Sequence, residues 1–139
     1  MLTRLTVKDY VLIDSVELDL DRGFTVLTGE TGAGKSIVLG AISLILGGRS
    51  DAGNIRAGSN RADIVAEFDV SSLPHVFTFL EESDLGVEDC VLRRVIDTSG
   101  RSRAWINGVP VTVKQLRDLG ALLVDIHGQH EHYSLVDSS

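Results

Sequence analysis

Positive charge is scarce in this chain: 13 Lys and Arg stand against 20 Asp and Glu, a formal net charge of -7. The sequence pI is about 4.9. That balance argues against a general nucleic-acid binder acting alone, which displays a basic face. Cysteine is nearly absent. Cys90 is the only one, which excludes an internal disulfide and fits a reducing cytosol. No apolar run approaches the roughly 20 residues needed to cross a bilayer, so no membrane partner is expected. The opening residues Met1 to Asp9 alternate in character and carry charge, unlike a signal peptide. No internal repeat and no low-complexity tract is present.

What remains is core-forming. Hydrophobic residues make up 43% of the 139, enough for a packed interior, and this length corresponds to one domain or part of a larger one. Strands are expected over 2–8 and 15–20, where Val16, Leu18 and Leu20 alternate with polar residues. A short buried strand is expected at Phe24-Thr25-Val26-Leu27. From Lys35, Ile37, Val38, Ala41, Ile42, Leu44 and Ile45 repeat at helical spacing until Gly47-Gly48. Residues 49–62 read as a flexible loop and 63–70 as a strand, with a break at Pro74 and a helix end near Glu81. Strands at 91–96 and 102–106 flank a hairpin turn, and Asn107-Gly108 marks a second. Residues 113–119 read as helix and 122–126 as a buried strand. The sum is an α/β domain with a strong antiparallel component.

Between the strand at 24–27 and the helix lies Gly29-Glu30-Thr31-Gly32-Ala33-Gly34-Lys35-Ser36. A strand, a glycine-rich loop, then a helix is the context in which such a loop cradles phosphate. Glycines at 29, 32 and 34 leave backbone N–H groups free to turn inward. The helix that follows adds unpaired N–H groups and about half a positive charge. Lys35 would neutralise the β- and γ-phosphates and the Ser36 hydroxyl would ligate Mg²⁺. A bare glycine turn with Lys35 in solvent is the bland alternative, and the flanking elements weigh against it.

Hydrolysis needs more: an acid for the metal and a group that positions water. Residues 122–132 offer two readings. Asp125-Ile126-His127-Gly128-Gln129 has the form of a GTPase switch, with Asp125 serving Mg²⁺ and Gln129 the water, although no guanine-selecting N-K-x-D motif occurs. Alternatively Gln129 is the glutamine of an ABC-type ATPase and the metal acid lies outside this chain, the favoured reading. His127, His130, Glu131 and His132 permit a zinc cluster, a lesser alternative, and His75 reads as structural. Arg56, in the loop after the helix, is placed to fold back toward the γ-phosphate, with plain surface charge an even match. Tyr10 and Trp105 are weak candidates for stacking on adenine. Arg93-Arg94 and Arg101-Ser102-Arg103 read as a solvated hairpin surface.

Taken together, the stretch from Leu5 to Arg49, then "IRAGS", "RSRAWINGVPVT" and "LLVDIHGQHEH", resembles the amino-terminal part of the RecN family, bacterial double-strand-break repair ATPases related to SMC proteins. The likeness runs along nearly the whole chain. It implies a P-loop NTPase: residues 1–139 form the amino-terminal lobe of an ABC/SMC-type ATPase head, an incomplete domain. A coiled coil and a carboxy-terminal lobe follow in such proteins, and ATP is sandwiched between two engaged heads. By position, Gly29 to Ser36 bind ATP, Ser36 and Gln129 attend Mg²⁺, and Lys35, Gln129 and Arg56 serve catalysis. The implied partners are the carboxy-terminal lobe, a second head and, through the full-length protein, DNA, in a bacterial cytoplasm at the nucleoid. No L-S-G-G signature, no acid-plus-glutamate strand end and no heptads occur, so a fragment is expected, with little activity alone. A self-contained small GTPase and a nucleotide-gated assembly module without hydrolysis are the competing functions.

Overall fold

A computed structural model describes residues 2–19, 32–71, 73–86 and 90–123. Its elements are β1 (Leu2–Tyr10), β2 (Ile13–Asp19), α1 (Gly32–Ile45), a 3-10 turn (Ala52–Asn54), β3 (Arg61–Phe68), α2 (Pro74–Glu82), β4 (Cys90–Asp97), β5 (Ser102–Ile106) and β6 (Val109–Val111). A last helix, α3, occupies 113–123. The six strands form one sheet in the order β2-β1-β3-β4-β5-β6. Every neighbouring pair is antiparallel.

Strand alternation sorts the side chains into two faces. On the inner face, Val7, Ile64, Arg94 and Ala104 form one cross-strand row, and Leu5, Ala66, Leu92 and Ile106 the next. All eight are buried. α1 covers this face with Val38, Ala41, Leu44 and Ile45, and each large aliphatic side chain so covered contributes roughly 1.5–3 kcal/mol. Cys90 belongs to the same core, and burial pushes its thiol up to about 12. It is therefore a protonated packing group without reactivity.

The connections follow local chemistry. Asn107 and Gly108 take φ of 51° and 82°, the backbone hand that suits a two-residue hairpin. At the β4–β5 turn the Asp97 carboxylate accepts from the Ser99 hydroxyl at 2.6 Å and the Ser99 N–H at 3.0 Å. These bonds, the hydroxyl first, hold its carboxyl below the usual range. α3 opens on a capping box: the Thr112 hydroxyl accepts from Gln115 N–H at 3.1 Å and the Gln115 amide oxygen accepts from Thr112 N–H at 3.0 Å. The β1–β2 hairpin is the exception, because Val11, β-branched, sits at φ 52°, where such residues are strained.

Three expectations need correction. α1 begins at Gly32 rather than Lys35, so the motif from Gly32 to Ser36 already lies within the helix. Pro74 does more than break the chain: it opens α2, where its missing N–H is no loss. Residues 122 and 123 are helical rather than strand. Leu116, Leu119 and Leu123 are all buried, and their spacing is that of one helix face, so Leu123 extends a helix stripe, while residues 124–126 of the expected strand lie outside the described residues.

Candidate nucleotide-binding site

The phosphate-loop motif reaches the structure as the start of α1. Gly32, Ala33, Gly34, Lys35 and Ser36 form its first turn. Gly29, Glu30 and Thr31 lie outside the described residues, as do Phe24 to Leu27, Asp125, His127, Gln129, His130, Glu131 and His132. α1 carries no acidic residue in its first turn and no basic residue in its last. Its leading N–H groups therefore meet no carboxylate of their own turn, the kind of helix start that suits an anion. A triphosphate fits that arrangement, and among the described residues no cluster of His, Cys, Asp and Glu competes for its metal.

The opposite end of α1 is held by groups from elsewhere in the chain. Gly47, at φ 98°, turns the chain out of the helix. Gly47 N–H donates to Leu44 C=O at 3.1 Å and Gly48 N–H donates to Ser43 C=O at 2.9 Å, the paired bonds of a glycine-terminated helix. Arg94 reaches this cap from β4. Its Nη1 donates to Leu44 C=O at 2.7 Å and also to Gly48 C=O, and its Nη2 donates to Ser102 Oγ at 3.1 Å. Arg117 of α3 approaches Gly47 C=O at 3.5 Å. Two guanidinium groups thus converge on the negative end of a helix that has no cation of its own there.

Arg94 is 2% exposed, so the solvated-hairpin expectation fails for it. Burial, and then the positive charge of Arg117, pull its guanidinium below the ordinary arginine range. Among the described residues its Nε has no hydrogen-bond partner. One signal in the sequence could have found it. Cys90, Leu92 and Ile96 share a parity, and Arg94 occupies the same inward parity.

Arg93, one position earlier, points the other way. It pairs with Asp63 through two bonds, at 3.1 Å and 2.6 Å, and the Asp63 hydrogen bonds raise its guanidinium. Its guanidinium lies 5.0 Å from the Trp105 ring centroid, with that of Arg103 at 6.0 Å. Trp105 therefore stands on the outer face among cations, on the opposite side of the sheet from α1. Tyr10 is buried against α1, its hydroxyl 2.7 Å from where a Cβ on Gly40 would stand. Burial raises its phenol above the ordinary value. His75 is exposed on α2.

Arg56 lies in a loop less free than its composition implies. Val11 N–H donates to Asn54 C=O and Arg56 N–H to Asp9 C=O, both at 2.8 Å, and Ile55 bridges Tyr10. Asp51 and Asn54 close a capping box on the short turn between. The Arg56 guanidinium sits 3.9 Å from the Asp14 carboxylate, both exposed. Such a pair contributes at most about 1 kcal/mol and leaves the arginine free to exchange partners. Its backbone, however, is tied to the strand end that packs on α1.

Comparison with known proteins bears on this geometry. The profile of the AAA domain family matches residues 4–122. DNA repair protein RecN of Xylella fastidiosa strain Temecula1 is 47% identical over 137 residues, covering 98% of this chain and 25% of that protein. The RecN of Bacillus subtilis strain 168 is 43% identical, covering 99% of this chain and 24% of its own length. The chain thus spans about a quarter of these relatives, and the likeness to RecN read from its motifs holds along nearly all of it. In three dimensions it is similar to a structure from a study of ATP-driven dimerization and DNA-stimulated activation of SMC ATPases. The TM-score is 0.69 at 24% identity, over 87% of this chain and 78% of that one. The fold is that of an SMC-type head.

Proposed function

Since the chain belongs to the AAA domain family, we propose that it is the ATP-binding amino-terminal lobe of an SMC-like head acting in double-strand-break repair and recombination. The observation that carries this reading is α1 opening within the glycine-rich motif, without a carboxylate in its first turn. Gly29, Glu30, Thr31, Gly32, Ala33, Gly34, Lys35 and Ser36 hold the phosphates. Lys35 would neutralise the β- and γ-oxygens, and the Ser36 hydroxyl with Gln129 would contribute two ligands to Mg²⁺. Bound ATP supplies the phosphoanhydride to be cleaved and Mg²⁺ the charge that polarises it. Gln129 orients water, and Arg56 exchanges Asp14 for the γ-phosphate. The remaining groups come from a carboxy-terminal lobe and a second head, with DNA engaged by the complete protein in the bacterial cytoplasm at the nucleoid.

The test uses the full-length protein. Wild type should bind ATP and release phosphate, this lobe alone should do so hardly at all, and Lys35→Ala should abolish turnover. Undiminished turnover in Lys35→Ala sinks the reading. In competition, a clear preference for GTP over ATP would transfer the function to a small GTPase built on Asp125 and Gln129. Nucleotide-dependent association without phosphate release would leave an assembly module.

A further inference from the structure

The structure assigns Arg94 a role beyond holding the core: we infer that it is a positioning residue for the nucleotide site, fixing α1, and so the phosphate loop, in register with the sheet. This rests on the ATP-binding reading above.

The contacts of α1 with the sheet are of two kinds. Val38, Ala41, Leu44 and Ile45 pack on β3 and β4 through apolar surface, which is non-directional and resists separation far more than sliding. Arg94 is directional. Its fork joins the Leu44 carbonyl in the last turn of α1 and the Gly48 carbonyl just beyond it to the Ser102 hydroxyl on β5. Among the described residues these are the side-chain hydrogen bonds that tie α1 to the sheet. A helix of 14 residues is about 21 Å long and stiff at 1.5 Å per residue. A slip at its last turn is therefore the same slip at its first.

Stability alone does not call for arginine at this place. Its neighbours along the inward face of β4 are Leu92 and Ile96, and an apolar side chain would continue that row without desolvating a charge. Replacing buried ionic groups by well-packed apolar ones is often neutral or stabilising. The guanidinium here has no carboxylate partner among its described bonds and leaves Nε unbonded. What it adds over leucine is geometry. Phosphate binding depends on that geometry, because a misplacement of about 1 Å can cost on the order of a hundredfold in function.

The lateral side of the same helix end is already closed. A Cβ on Gly47 would stand 2.5 Å from the Arg117 Cα, and one on Gly120 would stand 2.4 Å from the Leu46 carbonyl oxygen. α3 thus holds α1 sideways at backbone contact, while Arg94 ties it to the strands beneath.

The experiment is ATP·Mg²⁺ titration by calorimetry on full-length protein, with thermal melting of the unliganded protein in parallel. Arg94→Met should still fold yet bind ATP roughly tenfold more weakly, the scale of one or two lost hydrogen bonds. Arg94→Lys keeps the charge without the fork and should recover part of that loss. Ser102→Ala, which removes one anchor and no charge, should weaken binding about twofold to threefold. A residue that only filled the core would shift melting and leave the ATP Kd within twofold of wild type in all three, and that result overturns the inference. If Arg94→Met does not fold, the other two decide by the same criterion. Lys35→Ala is the control. Wild type that takes up no ATP sinks the ATP-binding reading itself, and the inference with it. Wild type that binds, beside Arg94 variants that bind equally, sinks the inference alone.

Discussion

The two ends of α1 are opposite in chemistry and in how they are built. The first turn carries the N–H groups that a helix start cannot pair within itself and belongs to a contiguous motif, Gly29 to Ser36. The last turn presents carbonyls and is completed by residues far along the chain, Arg94 at β4 and Arg117 on α3. Neither end is compensated from within the helix, which lacks an acid at its start and a base at its finish. On the proposed reading the anion-seeking end serves a ligand, while the cation-seeking end is satisfied by the fold. A helix built this way is anchored at one end and presented at the other.

That contrast can be broken from either side. The largest effect belongs to the open end: Lys35→Ala in the full-length protein should lower ATP turnover on the order of a hundredfold or more, with an unchanged melting temperature showing that only the ligand end was touched. Next comes Gly120→Ala at the anchored end. Alanine is intrinsically better in a helix by roughly 1 kcal/mol. Its Cβ would nevertheless meet the Leu46 carbonyl at 2.4 Å, a backbone atom that cannot swing away. Overpacking of about 1–3 kcal/mol should prevail, read as a lower urea midpoint with an unchanged slope. Ser102→Ala should cost the stability of roughly one hydrogen bond, about 0.5–1.5 kcal/mol, by the same measurement. The smallest effect is expected on the outer face. Asp63→Ala removes the partner of a half-exposed Arg93 and should cost under about 1 kcal/mol, with ATP affinity unmoved. A large loss there would show that the outer face also positions the helix.

The helix behind the glycine-rich motif was legible because its signal is local. Eight consecutive residues carry the glycines, the lysine and the hydroxyl, and the apolar repeat from Ile37 announces the helix behind them. The strands from β1 to β5 were legible for a similar reason, since alternation and the Asn107-Gly108 turn are short-range signals. The anchored end joins residues about fifty positions apart, and nothing in a linear pattern pairs Arg94 with Leu44. Parity along β4 marks Arg94 as inward, but without the register no acceptor can be named. The apolar run from Leu122 misled for a different reason. Runs of that length suit a strand or a helix equally, and the buried face of Leu116, Leu119 and Leu123 decides between them.

The outer strands of the sheet carry one more consequence. β2 sets Asp14, Glu17 and Asp19 along one rim, and β6 is three residues long with Pro110 at its centre. Repelling carboxylates on one side and a missing amide donor on the other both discourage a foreign strand from zipping on. Among the described residues, both margins of the sheet are therefore poor templates for adding a strand.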